Sequence, residues 1–179
     1  MTDAVATDGP PPPVYKGVGV SDRVQRSRAV VPALPTVLFA DGNEDYRAMA
    51  RDALLEGRNV TDMRTVGDGQ ALLAYLQRAG ATQGAVTPTP SLILIDASLP
   101  GEPGNGALIR QLKQDPKTRR IPVVVLGSDD DPDEIAAYYE AGVNTYIVKP
   151  VTFLSLVRLM KVFTAYWLET AELPPAPGV

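Results

Sequence analysis

The chain reads as an α/β protein in which five short strands and five helices alternate, building a doubly wound parallel sheet with helices on both faces. Three observations carry that reading. Brief apolar runs at Thr36 to Ala40, Ser91 to Ile95 and Ile121 to Leu126 are too short for helices and too continuous for strands with one wet face. Between them lie segments with apolar residues three and four apart, the spacing of a helix with one buried stripe. The two patterns alternate five times, and consecutive parallel strands need crossovers of this kind.

Each element has its own justification. The first strand, Thr36 to Ala40, ends against Asp41, and a helix opens at Asn43 or Glu44 and runs to about Glu56. Tyr46, Met49, Ala50, Ala53 and Leu54 form its apolar face, and Gly57 suits its stop. Asp62 to Val66 is a polar, weak strand that fits a sheet edge. A second helix, from Asp68 or Gly69 to Arg78, turns Leu72, Leu73 and Leu76 inward, and residues 81–90 read as an exposed loop. The central strand runs into Asp96, and Gly101 to Asn105 turns the chain into a third helix over Gly106 to Gln114. Ile121 to Leu126 is the strand richest in β-branched residues. Pro132 to Ala141 makes a fourth helix with proline in its first turn and Gly142 at its end. Asn144 to Val148 is the last strand. A long helix from Val151 to about Thr170 then places Phe153, Leu156, Val157, Met160, Phe163 and Trp167 along one side.

Composition narrows the chemistry. With 179 residues and 45% hydrophobic content, one domain with a substantial core is expected. That domain spans 34–173, after a Pro-rich unfolded leader over 1–33 and before a short unfolded tail over 174–179. A net charge of -4 argues against nucleic acid as a partner. The absence of cysteine and histidine removes disulfides, thiolate chemistry, soft metal sites and imidazole acid–base work. Carboxylates, lysine and hydroxyls remain. No apolar run approaches the roughly 18 residues of a membrane span, and no secretory leader is visible, so a cytoplasmic location is expected.

The flavodoxin-like strand order 2-1-3-4-5 is expected for five such units. It gathers the carboxyl ends of strands one, three, four and five at one edge of the sheet. Asp41, Asp96, the Gly127-Ser128 turn and Lys149 then share one shallow site. Any one of these alone is an ordinary cap or surface charge. Together, at independently placed strand ends, they point to chemistry centred on Asp96.

The region from Thr36 to Leu173 resembles response-regulator receiver domains, the phosphoacceptor modules of two-component signalling. Leu94-Ile95-Asp96-Ala97-Ser98-Leu99-Pro100-Gly101 and Tyr146-Ile147-Val148-Lys149-Pro150 carry the resemblance. Ile121 to Leu126, with the ending Tyr166-Trp167-Leu168-Glu169, is similar to the single-domain regulators that work with bacterial phytochromes. The resemblance implies phosphorylation of Asp96 by a sensor histidine kinase, with a bacteriophytochrome among the candidates. It also implies Mg²⁺ held by Asp41, Asp96 and the backbone carbonyl of Ser98, with Lys149 pairing with the phosphoryl oxygens. Signals would leave through protein contacts, since no output domain is expected after the receiver. In the resembling subgroup homodimers form on the face of helix four, strand five and helix five, and Leu159, Tyr166, Trp167 and Leu168 are the candidate contacts. The competing reading folds Tyr166, Trp167 and Leu168 back onto the chain's own core.

Two departures stand out. Receivers carry two adjacent acidic residues after strand one, and here Ala40 takes the first place, which predicts weaker metal binding. After strand four the family has a Ser or Thr that contacts the phosphoryl group; here Gly127 stands there, with Ser128 one position later. Tyr146 keeps the aromatic switch position. Two functions therefore remain open: a phosphorylatable regulator, and a degenerate receiver that docks or dimerises without phosphorylation. An aspartate-nucleophile phosphohydrolase would want a carboxylate at position 98, where Ser98 stands. Asp129-Asp130-Asp131 reads as a capped, solvated turn.

Overall fold

The structure is a computed structural model that describes residues 34–56, 61–80, 87–101 and 103–174. The expected leader over 1–33, the Gly57 stop and nearly all of the tail lie outside the described residues. In chain order the elements are β1 (Thr36–Ala40), α1 (Glu44–Glu56), β2 (Asp62–Val66), α2 (Gly69–Arg78) and β3 (Leu92–Asp96). They continue with α3 (Asn105–Gln114), β4 (Val123–Gly127), α4 (Pro132–Ala141), β5 (Thr145–Val148) and α5 (Phe153–Thr164). All strand pairs are parallel, and the order is β2-β1-β3-β4-β5. The flavodoxin-like expectation holds, with the polar β2 on one edge.

Period-two alternation divides the core into two layers. Leu38, Ala40, Ile93, Ile95, Val123 and Val125 face one side with Leu72 of α2, Leu108 and Leu112 of α3 and Tyr138 of α4. Val37, Phe39, Leu92, Leu94, Val124 and Leu126 face the other with Ala50 and Leu54 of α1 and Leu156, Met160 and Phe163 of α5. Every residue of β1, β3 and β4 is buried, as central strands covered on both faces must be. Each such large side chain stabilises the fold by about 1.5–3 kcal/mol on burial.

Local signals set the helix ends. The Asp68 carboxylate accepts from the Ala71 amide at 2.7 Å, Asp131 from Asp133 at 3.0 Å and Thr152 from Ser155 at 3.2 Å. Gly142 ends α4 in the left-handed region, with φ of 100°.

Some boundaries differ from expectation. β4 begins at Val123: Pro122 has no N–H to donate to a ladder, although its carbonyl accepts from Ile93 at 2.9 Å. α3 opens one residue early, at Asn105. The expected long last helix changes character after Thr164, whose hydroxyl donates to the carbonyls of Met160 (2.8 Å) and Lys161 (3.1 Å). A side-chain donor inserted in the helical ladder perturbs it, and Ala165–Thr170 continues as a π-helical segment. Phe153 and Met49, placed by periodicity on buried faces, are 44% and 38% exposed. Phe153 occupies the first turn of α5, beside the fully exposed Val151, where little of the core reaches it.

Candidate functional site

Strand register brings the chemistry together. Asp96 is paired with Leu126, Gly127 lies one residue further along β4, and Gly127 is paired with Val148 just before Lys149. The Lys149 amide donates to the Gly127 carbonyl at 2.7 Å, and the Asp41 amide to the Val66 carbonyl at 3.1 Å. Asp41, Asp96 and Lys149 therefore leave three strand ends on one edge of the sheet.

Lys149 Nζ lies 2.7 Å from Asp41 Oδ2 and 2.9 Å from Asp96 Oδ1. Both carboxylates are buried, with Asp41 fully so. The contact with Asp41 is a hydrogen bond; that with Asp96 is off the hydrogen-bond direction, so Oδ1 of Asp96 has an ion-pair partner and no hydrogen bond. Oδ2 of Asp96 accepts from the Ser98 hydroxyl at 2.7 Å. Two buried carboxylates share one ammonium in a low-dielectric setting, where charge is costly unless paired.

The first turn of α1 closes the site. Asn43 caps the helix through its side-chain Oδ1, which accepts from the Tyr46 backbone N–H at 3.1 Å, while its own backbone N–H donates to Asp41 Oδ1 at 2.8 Å. This cap turns Tyr46 and Arg47 back over the strand end. Lys149 Nζ sits 4.2 Å from the centre of the Tyr46 ring, a cation–π contact, and Arg47 donates to the Asp41 carbonyl at 2.6 Å. Burial pushes the Tyr46 hydroxyl up to about 12, helped by the charges of Asp41 and Asp96.

The edge next to β4 is different. Ser128 is exposed, and among the described residues no hydrogen bond links it to Asp96. A Cβ added at Gly127 would fall 1.6 Å from the Tyr146 hydroxyl and 2.1 Å from Cζ, so the tyrosine fills the space a side chain there would need. The Tyr146 hydroxyl donates to the Asp129 carbonyl at 3.1 Å, and its ring packs 5.7 Å from that of Tyr138.

The response regulator receiver domain profile matches residues 37–161. The chain belongs to the response regulator receiver family. It is 34% identical over 140 residues to the response regulator Rcp1 of Synechocystis, covering 78% of this chain and 92% of that protein. The structure of the phosphorylated cyanobacterial phytochrome response regulator RcpA superposes with a TM-score of 0.69 at 32% identity, over 80% of this receiver and all of that one. The Mn²⁺-bound form of Rcp1 gives 0.67 at 30% identity, over 79% of this chain and 99% of the other. The similarity to phytochrome response regulators expected from the sequence is thereby established.

The donor set of this receiver fits a hard divalent cation. Asp96 Oδ1 is a buried carboxylate oxygen lacking a hydrogen bond, which leaves it able to take a cation as ligand. Among the described residues no group of three carboxylates, histidines or cysteines is placed to hold a metal. Asp41 and Asp96 are the two buried carboxylates at this edge that could hold a hard cation such as Mg²⁺ or Mn²⁺, which takes few protein ligands and keeps several waters. Ala40, where the family has a second acid, is fully buried in the apolar layer.

Of the predicted dimer contacts, Leu159, Trp167 and Leu168 are partly buried against this chain's own core, and Tyr166 is 56% exposed. Among the described residues no helix is long and apolar enough to cross a membrane. Sequence reasoning missed Tyr46 as a neighbour of Lys149, and it missed Arg47, Asn105 and Tyr138. Only the cap signal at Asn43, which fixes the rotation of α1, pointed toward any of them.

Proposed function

We propose that this receiver accepts a phosphoryl group on Asp96 from a sensor histidine kinase, in a reaction assisted by Mg²⁺. The observation that carries the reading is Lys149 Nζ, held within 3 Å of two buried carboxylates from separate strands. A structural ion pair has no need of a second buried acid, whereas phosphoryl transfer needs a nucleophile and fixed countercharge together.

A carboxylate oxygen of Asp96 attacks the phosphorus of a phosphohistidine; the P–N bond breaks and the imidazole leaves with its electron pair. Lys149 exchanges part of its pairing with Asp96 for the incoming phosphoryl oxygens. Ser98 steadies the orientation of the carboxylate through its hydrogen bond to Oδ2. A Mg²⁺ ion held by Asp41, Asp96 and the Ser98 carbonyl would neutralise charge on the phosphoryl group. Similarity to phytochrome response regulators supports a phytochrome-type kinase as donor and protein contacts as the route out, a second copy of this chain among them.

A second reading is favoured by one observation. Tyr146 already occupies the space over Gly127, so a phosphorylation-driven inward movement of that ring has no room to occur. In that reading the domain docks its partners irrespective of phosphorylation.

Intact-mass spectrometry after incubation with acetyl phosphate separates the two. Gain of one phosphoryl group that requires Mg²⁺ and is lost in Asp96→Asn supports the acceptor; wild-type protein that stays unmodified at every Mg²⁺ concentration favours the docking module.

A further inference from the structure

The backbone that follows Asp96 is pinned with unusual thoroughness, and two of the side chains that do it have no part in the chemistry above. The Ala97 carbonyl accepts from the Tyr138 hydroxyl of α4 at 3.1 Å and also from the Asn105 side-chain amide at the start of α3. The same Asn105 amide reaches the Asp96 carbonyl at 3.4 Å, which accepts from the Leu99 amide at 3.0 Å as well. The Ala97 amide donates to the Leu126 carbonyl at 2.8 Å. A carbonyl has two lone pairs, and both of those on Ala97 are engaged by donors from different helices. The orientation of the Asn105 amide is fixed by its two carbonyl acceptors.

Tyr138 is buried, at 8% exposure, and nothing in helical periodicity requires a hydroxyl there. Burial pushes its pKa up, the Asn105 amide pulls it down, and the charges of Glu134 and Asp96 push it up further, so the phenol stays a donor at neutral pH. Its ring lies against Tyr146, which in turn covers Gly127. The turn is thus held from the α3–α4 side, next to the position where Gly127 supplies no side chain.

We propose that Asn105 and Tyr138 are positioning residues for the metal-assisted acceptor site: together they clamp the Ala97 carbonyl and so fix the turn that presents the Asp96 carboxylate and the Ser98 carbonyl to the cation. This rests on the acceptor reading above. The clamp compensates for a site with one carboxylate fewer than its family, because preorganised ligands lose less entropy on binding the ion. Partners that orient metal ligands are commonly worth 10- to 100-fold in affinity.

The test is Mn²⁺ binding, followed by water-proton relaxation, in full-length wild type, Asn105→Ala, Tyr138→Phe and a matched control, Tyr75→Phe. The Tyr75 hydroxyl also donates to a backbone carbonyl, that of Pro88, at 3.1 Å, outside the acceptor site. Both tyrosine variants lose a hydroxyl-to-carbonyl bond and should lower the melting temperature alike. Only Tyr138→Phe should weaken Mn²⁺ binding, by a few-fold, with Asn105→Ala weakening it about tenfold. If Asn105→Ala does not fold, Tyr138→Phe decides. Unchanged Mn²⁺ affinity in Tyr138→Phe, or an equal loss in Tyr75→Phe, overturns the clamp. Wild type that binds Mn²⁺ yet takes no phosphoryl group from acetyl phosphate overturns the acceptor reading and leaves the clamp to be judged on Mn²⁺ alone; wild type that binds no Mn²⁺ overturns both.

Discussion

The two sides of the sheet edge differ in what they keep. Around Lys149 every group expected of a receiver but one is in place, and the two carboxylates and the ammonium meet within 3 Å. Around Gly127 the hydroxyl is missing, and Tyr146 has taken the space it would have filled. The difference teaches that accepting a phosphoryl group and passing the signal on make separate physical demands. Acceptance needs fixed charge, and Asp41, Asp96 and Lys149 put fixed charge at one point of the sheet edge. Transmission needs an element with two alternative packings whose balance the phosphoryl group can shift. Gly127 and Tyr146 form one packing that is already satisfied.

The sharpest way to break this comparison is at Lys149. Lys149→Met removes the ammonium that both Asp41 and Asp96 pair with and leaves only the Arg47 guanidinium, on the Asp41 backbone, as nearby positive charge, and removing one partner of a buried ion pair costs about 3–5 kcal/mol. A urea melt at neutral pH should show a loss of that order; a change well under 1 kcal/mol would mean that the pair is solvated and the site loose.

At the other edge, Gly127→Thr should force the Tyr146 ring outward, at a cost of about 1–3 kcal/mol for overpacking. Adding Tyr146→Ala should recover much of that loss, a coupling that a double-mutant cycle in urea measures directly. Simple additivity would show that the tyrosine does not fill the space over Gly127.

The smallest effect is at Tyr46. Its hydroxyl is buried without a hydrogen-bond partner, so Tyr46→Phe should leave stability at pH 7 unchanged or slightly higher. The pH profile gives the sign. The folded-state pKa of about 12 lies above the ordinary value of 10.0, so folding favours the protonated phenol. Its contribution is complete below pH 10 and is lost as pH rises toward 12, and Tyr46→Phe should flatten that part of the stability curve.

Much of this was legible in the chain. Continuous apolar runs ending in Asp41 and Asp96 announced buried strands with polar residues at one edge, and the alternation with helices called for a parallel sheet, for which the order 2-1-3-4-5 was the expected arrangement. Ala40 and Gly127 were visible as departures because single residues stand where a side-chain function is expected. Their consequences were not visible. That Tyr146 fills the space over Gly127 depends on a rotamer and on the approach of β5 to β4. The contact of Tyr138 with Ala97 spans 41 residues and depends on the rotation of α4. Tyr46 was legible as part of the apolar face of α1, yet its place over Lys149 follows from the cap at Asn43 and the angle at which α1 leaves β1. The last helix splits just after Thr164, whose hydroxyl bonds back to Met160 and Lys161, a residue that periodicity treats as any small one.

The most direct test of an intact acceptor beside a locked transmission edge is an amide NMR spectrum with and without beryllofluoride, a phosphoryl mimic, in the presence of Mg²⁺. The expected result is large shifts at Asp41, Asp96, Ala97, Ser98 and Lys149, absent in Asp96→Asn, with small shifts at Tyr146 and along α4. Shifts at Tyr146 and α4 as large as those at Asp96 would contradict the lock, and a spectrum that does not respond at Asp96 would contradict the acceptor.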